Sequence, residues 1–129
     1  MKDPTANLNR LSGSVIGAAI EVHRILGPGH LESIYEEALG VELRLREIPS
    51  ERQVLVPVKY KGSDVGSRRL DLVVDDCLIV ELKAVDALLP IHRAQLLSYL
   101  RASALRLGLL INFNCEVLKD GIRRVILSS

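Results

Sequence analysis

Aromatic residues are scarce in this sequence, which has no Trp, one Phe and three Tyr. The core must therefore be aliphatic, and a surface that holds single strands mainly by stacking bases is argued against. A surplus of one charge is missing too. Seventeen Lys and Arg stand against sixteen Asp and Glu, a net +1. With no long block of like charge, a histone-like or tail-driven binder is excluded, whereas a local basic patch stays compatible. The only cysteines, Cys77 and Cys115, form no CxxC and have no metal-ligand spacing, so they read as two ordinary, partly buried thiols. No stretch approaches the roughly 18 apolar residues that span a bilayer. Met1–Thr5 lacks the basic-then-apolar run of a signal peptide. The expectation is a cytoplasmic protein without a membrane partner. Repeats, low-complexity segments and linkers are also lacking, so residues 1–129 should form a single domain.

What is present is ordinary globular composition, 48% hydrophobic and 26% charged, with clear periodicity. From Leu8 to Leu26 apolar residues recur at helical spacing (Leu11, Val15, Ala18, Ala19, Val22, Ile25, Leu26), until Gly27-Pro28-Gly29 stops the helix. A second helix is expected from Leu31 to Arg46, its apolar side supplied by Leu31, Ile34, Tyr35, Ala38, Leu39, Leu43 and Leu45. The period then falls to two. Strands are expected over 53–60 and 67–74 with a turn at Lys61–Asp64, and a third strand over 77–83. Pro90 suits the start of a helix running to about Leu105. Leu107–Asn112 reads as a buried strand, and Val117-Leu118, Asp120-Gly121 and Val125–Leu127 as a closing hairpin. The order is α-α-β-β-β-α-β-β, an α/β arrangement of α+β type with helices on a mixed central sheet.

Chemistry concentrates where charge interrupts apolar strands. Between Arg69 and Lys83 the sequence carries Asp71, Glu81 and Lys83 among Leu, Val and Ile. An unpaired ion in a buried strand is costly, so a partner is expected, and a metal is a natural one. Glu81 and Lys83 are two apart and share a strand face. Hard cations such as Mg²⁺ take one or two carboxylates plus water and phosphate oxygens, which Asp71 and Glu81 could supply. Lys83 could hold the attacking water or neutralise charge growing on phosphate. The alternative is a structural ion-pair cluster of the same three residues. Face parity discriminates. A two-residue turn at Asp75-Asp76 would set Asp71 opposite Val80 and away from Glu81. A three-residue turn through Cys77, or a bulge, sets Asp71 opposite Glu81, and that is expected. In the later helix Gln95 and Tyr99, four apart, share a face; after the Gly27–Gly29 turn, Glu32 and Tyr35 are three apart. Each also has a plainer reading, Gln95 as a solvated residue and the tyrosines as core residues.

Taken together, these residues resemble a known family. Gly29-His30-Leu31-Glu32-Ser33-Ile34-Tyr35 is similar to the signature of the GxxExxY proteins, a group within the PD-(D/E)XK nuclease superfamily. Leu26–Gly29, Leu70-Asp71, Val80–Val85 and Ala94–Tyr99 extend the resemblance over nearly the whole chain. It implies a restriction-endonuclease-like core, with Asp71, Glu81 and Lys83 as the D…E-x-K set. Glu32 is implied as a helical carboxylate near the metal, so that the metal set is Asp71, Glu81 and Glu32. Gln95 and Tyr99 are implied as a Q-x-x-x-Y helix alongside. Leu70 stands where the superfamily's name has Pro, a position that does no chemistry.

The implied activity is a Mg²⁺- or Mn²⁺-dependent phosphodiesterase acting on DNA or RNA, a nuclease. The competing readings are a non-cleaving nucleic-acid-binding or assembly module of the same fold, and a structural domain whose strand charges pair with one another. With no accessory binding domain, so short a chain would hold duplex through a homodimer or another protein partner. Arg68, Arg69, Lys59, Lys61, Arg93, Arg123 and Arg124 are the candidate phosphate contacts. His23 reads as a satisfied core histidine, and His92, one turn before Gln95, as a residue near substrate. Gly27-Pro28-Gly29 lacks the Lys-Ser/Thr and the preceding strand of a phosphate loop.

Overall fold

The computed structural model describes residues 4–128, with side chains from Ala6 onward. Helices α1 (Pro4–Leu26) and α2 (Glu32–Leu45) come first, then strands β1 (Ser50–Tyr60), β2 (Ser63–Val74) and β3 (Leu78–Lys83). Helix α3 (Pro90–Ser103), strand β4 (Leu107–Asn112), a short 3₁₀ turn (Leu118–Gly121) and strand β5 (Ile122–Ile126) complete the chain. The expected order holds, and the strands form one mixed sheet in the order β1-β2-β3-β4-β5. Only β3 and β4 are parallel. A parallel pair needs a crossover, which α3 provides.

Helices cover the sheet on two faces. Val15, Ala18, Ala19 and Val22 of α1 and Tyr35, Leu39 and Leu43 of α2 pack on Leu72, Val74, Leu78, Val80 and Leu82. Leu96, Tyr99 and Leu100 of α3 pack on Leu70, Val73, Ile79 and Leu110. Close approach of α3 needs a residue without a side chain in β4. A Cβ on Gly108 would meet Leu96 Cδ1 at 2.8 Å. Each such buried Leu or Ile contributes about 1.5–3 kcal/mol relative to exposure.

Several boundaries differ from expectation, for local reasons. The β1–β2 turn is only Lys61-Gly62, both in the left-handed region (φ 48° and 83°), so the strands run longer than their alternation suggested. Cys77, expected to open β3, lies in the preceding turn. Val117-Leu118 is not a strand. Asp120-Gly121 sits in the 3₁₀ turn, and the closing hairpin is instead β4 with β5. Leu31, just before α2, and Ile34 and Leu45 on it are exposed, because Tyr35, Leu39 and Leu43 already define the buried stripe. Among the described residues no helix is long and apolar enough to cross a membrane.

Candidate active site

Alternation of apolar residues sets the parity of the site. Leu72 pairs with Val80, Val73 with Ile79 and Val74 with Leu78, which leaves Asp75, Asp76 and Cys77 as a three-residue turn. Asp75 and Asp76 take left-handed φ (51° and 56°), a conformation short acidic side chains tolerate. Continuing this register places Asp71 opposite Glu81, as the three-residue turn requires. Leu72, Val80 and Leu82 commit one face to the α1–α2 core, so Asp71 and Glu81 share the other.

At this pair side chains take over the ladder. The Leu82 N–H donates to Asp71 Oδ2 (2.9 Å), and the Asp71 N–H donates to Glu81 Oε1 (3.2 Å). Glu81 is buried, only 5% exposed, while Asp71 and Lys83 are half-buried. Burial first, then the Asp71 charge and a side-chain hydrogen bond to Asp71, push the Glu81 carboxyl up to about 9. The Asp71 N–H and the Lys83 charge pull it down by less. Among the described residues no basic side chain lies within 4 Å of Asp71 or Glu81, and Lys83 joins no ion pair. A structural ion-pair cluster of the three is therefore not what the strands build. They build two carboxylates side by side with a nearby cation held off.

The sheet also changes face here. Arg52 reaches Glu36 and Glu37 of α2, yet Val54, two residues on, packs with the α3 cluster. On β2, Leu72 lies in the α1–α2 core and Leu70 in the α3 core. Two residues of equal parity can face opposite sides only if the strand turns between them. The turning points are Gln53, at φ 55°, and Asp71, flanked by the pairs Arg52↔Leu72 and Val54↔Leu70. The buried Glu36 carboxylate fixes the pivot by accepting from both Arg52 and Gln53 Nε2. Strain held at such a point is typical of sites that must aim a side chain.

The remaining predicted residues surround the pair unequally. Glu32 opens α2 and is exposed as a whole. Its carboxyl is raised first by partial desolvation, then lowered by Lys83 and raised by Asp71, so it shares their electrostatic space. It does not close a ligand cage, since among the described residues no three His, Cys, Asp or Glu converge on one point. Tyr99 is buried on α3, and its hydroxyl feels the charges of Arg68, Glu81 and Asp71 after its own desolvation. Gln95, one turn earlier, is half-buried, and among the described residues its side chain bonds to neither carboxylate.

Tyr35 proves structural. Its ring stacks on Phe113 at 4.4 Å, and its hydroxyl donates to Gly27 O (2.6 Å) and accepts from the His30 N–H (3.1 Å). It thereby pins the Gly27–His30 turn, which aims Glu32. His23 is the satisfied core histidine expected, its Nε2 2.7 Å from Cys115 O. His92 Nδ1 accepts the Leu89 N–H, so it caps α3 rather than standing free. Of the candidate phosphate contacts, Lys59 pairs with Asp64, Arg123 donates to Asp120 O and Ile122 O, and Arg124 bonds to Asn9. Arg68 sits over the ring of Tyr99, and Lys61 over that of Tyr60.

Asn112 was not foreseen. Its buried amide clamps Val85 on both backbone groups, accepting from N and donating to O, and so fixes the exit of β3 after Lys83. The only signal was a polar residue ending the otherwise apolar strand Leu107–Asn112.

The family model described as PD-(D/E)XK nuclease superfamily matches residues 9–125. No curated protein and no solved structure matches the chain.

Proposed function

Because the chain belongs to the PD-(D/E)XK nuclease superfamily, we propose that it is a phosphodiesterase that cleaves DNA or RNA with Mg²⁺ or Mn²⁺ held by Asp71 and Glu81. Gly29-x-x-Glu32-x-x-Tyr35 supports placing it among the GxxExxY proteins of that superfamily. One observation carries the metal reading. A buried Glu81 lies against Asp71, and no basic side chain among the described residues pairs with either. Two adjacent carboxylates without a cation cannot both ionise cheaply, and a hard divalent ion resolves that. The donor set fits, since Mg²⁺ commonly takes one or two carboxylates and keeps several waters.

When bound, such an ion polarises the phosphoryl oxygen and lowers the pKa of its water. The protein's own groups do the rest. Asp71 and Glu81 are oriented by the backbone amides of Leu82 and Asp71. Lys83 shares the Glu81 face and keeps its ammonium unpaired beside developing charge. Glu32 adds a second-rank carboxylate from α2, and Gln95 and Tyr99 wall the α3 side.

Incubation with labelled single- and double-stranded DNA and RNA tests the reading. Cleavage is expected with Mg²⁺ or Mn²⁺ and none in EDTA. Metal binding without cutting on all four substrates would leave a binding module instead.

The Glu81 carboxyl also makes apo stability depend on pH. Its folded value, about 9, lies above its ordinary 4.5. Its contribution is therefore fully present below pH about 4.5 and is lost as pH rises through about 9. Glu81→Gln cannot ionise, so in EDTA its melting temperature should gain on the wild type progressively from pH 5 to 9. Added Mg²⁺ should reverse that order at alkaline pH, because metal displaces the proton. A gap between the two proteins that ignores pH contradicts a raised Glu81 carboxyl at this site.

A further inference from the structure

The Arg68 side chain is outside the D…E-x-K set, yet it is anchored on Tyr99, a residue of the site's α3 wall. It lies on β2, three residues before Asp71, and pairs across to Val56 on the strand edge facing α3. Its guanidinium sits over the Tyr99 ring, 4.9 Å from the centroid, and Nη2 donates to the Tyr99 hydroxyl at 2.6 Å. Stacking and a hydrogen bond together restrain a side chain that otherwise keeps many rotamers.

What the restraint leaves open is informative. Among the described residues Arg68 has no carboxylate within 4 Å, and its single side-chain hydrogen bond is the one to Tyr99. A guanidinium has five N–H donors, so most of the fork stays free. Three other arginines are by contrast spent on carboxylates of this chain: Arg24 on Glu21, Arg46 on Glu42, Arg52 on Glu36 and Glu37. An arginine held over the Tyr99 ring, with no carboxylate partner and on the Tyr99 side of the Asp71–Glu81 pair, presents a planar donor pair to an anion that reaches that pair. Phosphate oxygens match that fork in geometry and charge.

The geometry points to Arg68 as the residue that grips a backbone phosphate of the nucleic-acid strand at the Asp71–Glu81 site, with Tyr99 as the platform that aims it. The inference rests on the nuclease reading and adds a residue which binds substrate rather than metal. It also gives the Gln95–Tyr99 face of α3 a task, since Tyr99 acts through Arg68 and not on the phosphate itself.

Salt dependence of binding isolates the contact. Each neutralised phosphate adds about 0.9 to the slope of log K against log salt for duplex DNA. Fluorescently labelled short DNA and RNA, single- and double-stranded, are titrated in EDTA, where nothing is cut, between about 50 and 200 mM salt. Arg68→Ala should lower the slope by about one and weaken binding on the order of tenfold at 0.1 M salt. Arg68→Lys keeps the charge but can neither lie flat on the ring nor offer two parallel donors, so it should restore the slope without restoring full affinity. Arg24→Ala, on α1, is the control and should match the wild type. If Arg68→Ala binds with the wild-type slope and affinity, Arg68 does not hold phosphate, and the nuclease reading stands without it. If the wild type binds none of the four nucleic acids, the nuclease reading fails and this inference falls with it.

Discussion

Asp71→Asn is expected to abolish metal-dependent cleavage while leaving the protein folded. Asparagine keeps the shape, and its carbonyl oxygen can still accept the Leu82 N–H that Asp71 now takes at 2.9 Å. What disappears is one of the two carboxylate charges proposed to hold the metal. Lewis-acid stabilisation by a bound cation is worth several kcal/mol, at about 1.4 kcal/mol per tenfold in rate. Loss of three orders of magnitude or more is therefore expected. Two measurements separate causes. The rise in melting temperature on adding Mg²⁺ should vanish in the variant, because a ligand that binds only the native state stabilises by mass action. In EDTA the variant should melt no lower than the wild type, since Glu81 loses its negative neighbour and a crowded site relaxes. Full cutting by Asp71→Asn would assign the activity to a contaminant.

Lys83→Ala should behave differently. Lys83 is half-buried on the face of Glu81 and forms no ion pair among the described residues, so its removal breaks no structural bond. The Mg²⁺-dependent rise in melting temperature should survive, because both carboxylates remain. Turnover should fall on the order of 10²–10³, the typical cost of one donor aimed at charge that develops in the transition state. Loss in kcat with metal affinity kept places Lys83 on the water or the phosphate. Loss of metal response as well would instead make it a structural balance for Glu81 and Asp71.

The contrast between these variants is legible in the sequence, and the reason is local. Which face a strand residue occupies follows from alternation. Leu72, Val74, Leu78, Val80 and Leu82 claim one face, and a turn of three residues between Val74 and Leu78 is the choice that sets Asp71 opposite Glu81. Helix stops at Gly27-Pro28-Gly29 and starts at Pro90 were equally local, because backbone preference decides them. Membership of the apolar stripe on α2 was only half visible. Leu31, Ile34 and Leu45 are as hydrophobic as Leu39, but the angle at which the helix meets the sheet decides which of them is covered.

By itself, then, the sequence determined the element order and the parity of Asp71 and Glu81, both of which depend on neighbours within a few positions. Only the tertiary structure decided what those residues face. The pivot at Gln53 and Asp71 depends on a Glu36 that arrives from α2. The Asn112 clamp on Val85 joins positions brought together by the parallel β3–β4 pairing. Arg68 meets Tyr99 only because α3 crosses back over β2, over a Gly108 that lets Leu96 approach. Alternation and propensity act along the chain and assign each side chain to a face. Which partner waits on that face depends on the order of strands and the seating of helices, which are set by the packing of the whole core.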